Sequence, residues 1–301
     1  MAGSIEDKLR MLRRSIRAGE MSAASELLQQ TARDAAPAPV ARDHTGPQPL
    51  AKVCEGVETQ AGRGGRFWLI RRTLAEFSPR LAGLPKRYAA IIGGARQRWD
   101  ELSASAALCK AADGRHEDLL FMDIESCGLI PAPVFLIGMM QYVEGDPRGE
   151  GGHFLFEQYL ARDYSEESAI LRAFAEKLPL APILVTFNGK SFDMNLLRQR
   201  GAFHGVELPT RLAFHLDLLH ESRKRWRTSL PNCRLQTLEQ YLCGRRRVGD
   251  IPGAMIAEAY HSFVRSGDAR PIGTILHHNL LDLLTMGELV CHLLTGTAPP
   301  E

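Results

Sequence analysis

Residues 119–126 read LLFMDIES: four large apolar residues, then two acids, Asp123 and Glu125, with a single isoleucine between them. A short apolar run of this kind reads as a strand buried on both faces. Side chains alternate along a strand, so Asp123 and Glu125 project from one face at its polar end. Cys127 and Gly128 follow at once, a tight exit that leaves both carboxylates at an open strand end. Alone, such a pair is no more than a strand leaving the core, because a match of three residues arises often by chance.

Two further acids change that reading. Asp193 stands in TFNGKSFDMNLL (186–197), where a strand turns on Gly189 into a helix. Ligands of open α/β sheets collect at such turns, although a helix N-terminus also favours an acid for its own stability. Asp282 lies in HHNLLDLL (277–284), inside a helix with apolar residues on several sides. An acid there is costly unless it is paired or bound to metal. His278, four residues earlier, shares its helix face; His277, five earlier, lies about 140° away on an ideal helix. Either is a capping or surface residue on the bland view, but imidazole also suits proton transfer near neutral pH. Four carboxylates gathered from distant segments cannot all stay ionised without cations, and Mg²⁺ or Mn²⁺ prefers oxygen ligands. The expectation is a two-ion site that cleaves phosphodiesters.

Working outward from LLFMDIES, VFLIGMMQYV and HFLFEQYL read as two more strands, joined by the glycine-rich GDPRGEGG. A helix is expected from about 163–165 to 178, a strand at PILVTFN, and a helix from about 191 to 200 closed by Gly201. RLAFHLDLL reads as a fifth strand, and the remainder to about 294 as helical. Three consecutive strands followed by alternating helix and strand define an α/β fold. Its central sheet is mixed, with three leading antiparallel strands and flanking helices. Residues 53–117 are expected as an accessory mixed segment packing on the edge of this unit. Residues 1–33 carry a helical period through Leu9, Leu12 and Ile16, and 34–52 have the Pro/Ala composition of a flexible linker. The N-terminal helix is a candidate docking point for a protein partner, though a tethered helix with no specific task is the plainer reading.

In a chain of 301 residues, 45% hydrophobic and 24% charged residues are ordinary globular values. A formal net charge of +2 neither announces nor excludes nucleic acid, since local basic stripes matter more than the sum. Six scattered cysteines form no CxxC pair and no zinc spacing. No apolar leader and no membrane-length run appear, so a cytoplasmic protein with reduced thiols and no membrane partner is expected. Arg223, Lys224, Arg225 and Arg227 surround Trp226, and Arg245, Arg246 and Arg247 form a second basic cluster. Basic side chains neutralise phosphates and an aromatic stacks on bases, so Arg223, Arg225 and Trp226 join Asn188 and Lys190 as candidate substrate contacts. A solvated basic face with Trp226 in the core is the competing reading. Asp217 is expected to be structural, pairing with a nearby basic group.

The order DxE, then NGxxFD seventy residues on, then HNxxD near residue 282 resembles the DEDD superfamily of 3′–5′ exonucleases on the ribonuclease H-like fold. LLFMDIESCGL, VTFNGKSFD, HLDLLHESRKRW, DIPG and HHNLLDLL are similar to its YprB-like ribonuclease H-like branch. The resemblance covers roughly 118–294 and makes 118–296 a ribonuclease H-like exonuclease domain. It implies that Asp123 bridges two metals, with Glu125, Asp193 and Asp282 completing their shells, the ions standing about 3.5–4 Å apart. A histidine would orient or deprotonate water. The family places His five residues before the last acid or Tyr four before it, and this chain has His277 and His278 at those positions. His278 is favoured for its HNxxD context, with His277 close behind. The implied activity is 3′–5′ hydrolysis of single-stranded DNA or RNA. The alternative is a catalytically silent binding or scaffold protein of the same fold.

Overall fold

The computed structural model describes residues 46–62, 65–95, 105–128, 131–145, 151–209, 212 and 214–296. The chain divides into two units, 1–46 and 47–301, and the second holds everything that follows. The helical segment and most of the linker expected before residue 46 lie outside the described residues.

Seven strands form one sheet: β1 (Val57–Gln60), β2 (Arg66–Thr73), β3 (Leu119–Ser126), β4 (Val134–Val143), β5 (His153–Leu160), β6 (Ile183–Thr186) and β7 (Phe214–Asp217). Their order across the sheet is β1-β2-β5-β4-β3-β6-β7. β3, β4 and β5 pair antiparallel, whereas β6 lies parallel to β3 and β7 parallel to β6. This is the mixed sheet with three leading antiparallel strands that the hydrophobic runs predict.

Residues 53–117 do more than pack on its edge. β2 hydrogen-bonds along β5, with Trp68 opposite Leu160 and Thr73 opposite Leu155, and β1 extends the sheet by one further strand. A helix from Leu84 to Ala95 (α1) and another from Ala106 to Ala112 (α2) cover the face below. Apart from single turns such as Leu50–Val53 and Leu74–Phe77, the other helices among the described residues are α3 (Glu167–Lys177), α4 (Asp193–Phe203), α5 (Leu218–Trp226), α6 (Leu235–Leu242), α7 (Gly253–Ser266) and α8 (Arg270–Thr295).

The core is double. On one side Leu120, Met122, Ile170, Phe174, Leu197 and Tyr260 pack together; on the other, Tyr88, Phe121, Phe154, Trp226, Leu284 and Leu289. α8 carries Ile272, Ile275 and Leu276 into the first and Leu280 onward into the second. It closes on Gly296, which takes the left-handed conformation of a helix end.

Two boundaries differ from the sequence reading. α4 runs past Gly201, which is buried against the Val206 carbonyl, and stops only at His204 and the left-handed Gly205. Here glycine serves close packing rather than termination. Among the described residues of RLAFHLDLL, the strand is Phe214–Asp217, and it ends there because the Asp217 carboxylate accepts from the Leu219 amide and begins α5. Among the described residues no helix is long and apolar enough to cross a membrane.

Candidate metal and nuclease site

β3 presents its odd-numbered residues to α8. Leu119 and Phe121 are buried there, and the next two positions on that face are Asp123 and Glu125. The pairing with β4 slips by one residue between Glu125 and Ser126, so the strand kinks just past the acids.

β6, alongside, ends at Thr186, and the chain turns through Asn188 with φ of 67°. Asparagine is among the residues that tolerate this left-handed conformation. The turn is fastened from β7: the Asp217 carboxylate accepts from the amides of Asn188 at 2.9 Å and Lys190 at 3.1 Å. Asp217 therefore binds backbone N–H groups, where the sequence reading has it pairing with a basic side chain. The fastened turn delivers Asp193 as the first residue of α4, 7% exposed. α8 crosses β3 and brings Asp282 to the same place.

Asp123, Glu125 and Asp282 line one cleft of about 450 Å³, with Phe192, Gly253, Ala257 and His278 among its walls, and Asp193 lies close enough behind Phe192 for its charge to act on Asp123 and Glu125. Burial, reinforced by the charges of Asp282, Glu125 and Asp193, pushes Asp123 well above the ordinary carboxylate range. Burial and the charges of Asp282, Asp193 and Asp250 do the same to Glu125, against the pull of Arg247. Burial carries Asp193 up to about 7, with Asp217 adding to the rise and backbone amides opposing it. Burial raises Asp282 too, while Arg247 and His278 work against the rise. A set of hard oxygen donors short of positive charge suits divalent cations.

Several partners of these acids escaped the sequence reading. Asn279 donates to the Asp123 carboxylate at 2.8 Å and to its carbonyl at 3.3 Å, and accepts from the Gln158 amide at 2.9 Å. His278 is buried, its Nδ1 2.7 Å from Asp250 Oδ1 and its Nε2 3.4 Å from Asp282 Oδ2. The Asp250 contact fixes the ring and leaves Nε2 toward the cleft. His277 is exposed; desolvation of its ring lowers its pKa, against the charge of Asp250. Asp250 sits in DIPG, a segment singled out for its resemblance but given no role, and Asn279 sits between the two residues that drew attention.

The basic clusters are corrected most. Arg247 turns inward: Nη2 lies 2.5 Å from Asp282 Oδ1, Nε 2.6 Å from Glu239 Oε2 and Nη1 3.3 Å from Asp250 Oδ2. Arg245 pairs with Glu239 at 3.0 Å and with Glu288. Only Arg246 of the three is exposed. Trp226 is 1% exposed within the core, so it offers no face to a base, because the apolar side of α5 must be buried. Arg223 and Arg225 are exposed, but the Arg225 guanidinium donates to the Gly296 carbonyl. That carbonyl is fourteen residues, roughly 21 Å of helix, from Asp282. Asn188 and Lys190 are exposed at the turn that precedes Asp193.

Among the described residues, the three side chains whose ligand atoms all come within 4.8 Å are His116, Glu117 and Glu144, at the far end of β3. There His116 already bonds Glu144 at 2.5 Å, and Arg115 lies 3.4 Å from Glu117. The four cleft acids stand wider apart than that group.

A family model described as the RNase_H superfamily matches residues 120–294. The chain belongs to that superfamily. Within it, this is a YprB-like ribonuclease H-like domain: the Bacillus subtilis protein YprB, itself uncharacterised, is 29% identical over 199 residues. That match covers 65% of this chain and 46% of YprB, so the chain spans under half the length of that relative. Among solved structures, a family B DNA polymerase from the archaeon Pyrobaculum calidifontis aligns at 15% identity with a TM-score of 0.42, over 60% of this chain and 27% of the polymerase. The zinc-bound E. coli ExoI–ssDNA complex aligns at 16% identity with a TM-score of 0.29, over 55% of this chain and 45% of that one. Membership in the superfamily supports a nuclease-type chemistry for the acid cleft.

Proposed function

We propose that this protein is a metal-dependent nuclease, a 3′–5′ exonuclease of the DEDD kind acting on single-stranded DNA or RNA. One observation carries the reading. Asp123, Glu125, Asp193 and Asp282 come together from β3, α4 and α8, where burial disfavours the ionised form of all four and the charges of Asp193 and Asp282 add to it at Asp123 and Glu125. A fold does not retain such a cluster for stability, since buried acids with too little positive charge around them destabilise it.

These four residues would hold two Mg²⁺ or Mn²⁺ ions. When bound, such ions would supply positive charge that lets the acids ionise together, and Lewis acidity toward water and the leaving oxygen. The chain's own groups do the rest. Asn279 holds the Asp123 carboxylate from behind, so its remaining oxygen faces the cleft. His278, oriented by Asp250, presents Nε2 where a proton from an attacking water is accepted. His277, facing solvent, is the second choice for that role. Asn188 and Lys190, exposed on the turn before Asp193, are assigned to substrate phosphate, and exposed Arg223 and Arg225 to more distant parts of a strand. Trp226 has no part in binding.

The deciding experiment offers single-stranded DNA and RNA, labelled at the 5′ end, with Mg²⁺ or Mn²⁺, to wild type and Asp123→Ala. Wild type should shorten the strand stepwise from its 3′ end, and the variant should be inactive. Equal cleavage by both proteins would remove the proposed site. Binding without hydrolysis in Mn²⁺ would favour the silent alternative.

A further inference from the structure

We infer that Arg247 is a positioning residue for the cleft, a built-in counter-ion that holds Asp282 until a cation takes it over. The inference rests on the metal reading above and concerns a group that reading does not use.

Arg247 reaches Asp282 from the loop after α6. Its guanidinium is 7% exposed and meets three carboxylates, one at each nitrogen: Glu239 at Nε, Asp250 at Nη1 and Asp282 at Nη2. Burial works against its charge, but Asp282 and Glu239 more than offset that and hold its pKa above the ordinary arginine value. Its seat is itself fastened, because the other oxygen of Glu239 accepts from Arg245, which also pairs with Glu288 and Thr285.

The three contacts are not equivalent. Glu239 is 1% exposed and lies outside the cleft lining, so it anchors the guanidinium permanently. Asp282 belongs to the cleft, and the positive charge that Arg247 brings to its Oδ1 opposes a cation at the same carboxylate. Glu239 and Asp250 would keep Arg247 seated after Asp282 leaves, so the exchange requires no unfolding and leaves no buried charge bare. Arginine and cation thus compete for a single carboxylate.

Competition predicts that removing the arginine tightens metal binding, whereas loss of a purely structural group would weaken it. Titration calorimetry with Mn²⁺ alone, on the full chain, compares wild type with Arg247→Gln and the milder Arg247→Lys. Affinity should rise roughly five- to hundredfold in Arg247→Gln, the usual range for coupled sites, and less in Arg247→Lys. Metal-free Arg247→Gln should melt below wild type, and Mn²⁺ should raise its melting temperature by more than it raises that of wild type. Unchanged or weaker Mn²⁺ binding in both variants would overturn the inference while leaving the metal site standing. Absence of Mn²⁺ binding by wild type would overturn the metal reading and this one with it.

A second arm needs only the wild-type fold. The ¹⁵N signals of the Arg247 guanidinium, assigned with Arg247→Lys, should shift and lose their restricted Nη rotation as Mg²⁺ saturates the protein, while those of Arg245 stay put. Arg247 signals that do not respond to saturating Mg²⁺ would also overturn the proposal.

Discussion

Where the Asp123 carboxylate points is decided by two residues that carry no charge. Asn279 grips it from α8, and Gln158 on β5 grips Asn279 in turn while also donating to the Leu276 carbonyl. The chain of bonds crosses β4, and it fits only because Gly138 stands there. A Cβ on Gly138 would lie 1.9 Å from the Asn279 oxygen, closer than any real contact. Gly138→Ala should therefore push Asn279 away, cost about 1–3 kcal/mol of stability in urea denaturation, and lower cleavage because Asp123 loses its support. Wild-type stability and turnover in that variant would show the clamp to be incidental. The same scale explains what the sequence hid. An asparagine or a glycine has no charge to flag it, and its role depends on a residue more than a hundred positions away.

At the scale of elements, the parallel strands β6 and β7 set up the turn that delivers Asp193. Thr186 on β6 and His215 on β7 meet at 2.8 Å beneath that turn. Burial, with Lys190 adding to it and Asp217 opposing it, lowers the His215 pKa from 6.5 to about 4. The native ring therefore stays neutral where the unfolded chain takes up a proton, so stability is full above pH 6.5 and falls as pH drops toward 4. His215→Gln cannot titrate, and should lose less stability than wild type between pH 7 and pH 5, by on the order of 1 kcal/mol for a partly exposed group. Equal losses in the two proteins, measured by urea midpoints at each pH, would dismiss His215 as the cause. Elements were also the scale best read in advance. VFLIGMMQYV and HFLFEQYL are β4 and β5 to the residue, because long apolar runs bounded by glycine and proline leave little choice. The helix that swallows Gly201 was misjudged because a glycine that ends a helix and one that packs tightly look alike in sequence.

At the scale of the molecule, the sheet does not begin with the acid-bearing strand. β1 and β2 are earlier in the chain yet lie beyond β5, and Phe67, Leu69 and Ile70 of β2 belong to the core. A chain starting at residue 47 should thus melt with the full-length protein and keep its cleavage. One starting at residue 74 would bare the β5 edge and an apolar face, and should aggregate. Calorimetry and light scattering on the two truncations decide the point; a well-behaved shorter chain would return 53–73 to the status of an accessory.

Alone, the sequence specified β3 to β6, the mixed sheet with its antiparallel run, and four acids to consider, because alternation, apolar runs and acids among apolar residues are local signals. LLFMDIES was enough to place two carboxylates on one face at a strand end. Only the tertiary structure decided which charges are free. It turned Arg247 onto Asp282 and Trp226 into the core, tied His278 to Asp250, and set Asn279 behind Asp123. Those outcomes depend on which distant side chain arrives to satisfy a buried polar group, and no window of sequence contains both partners.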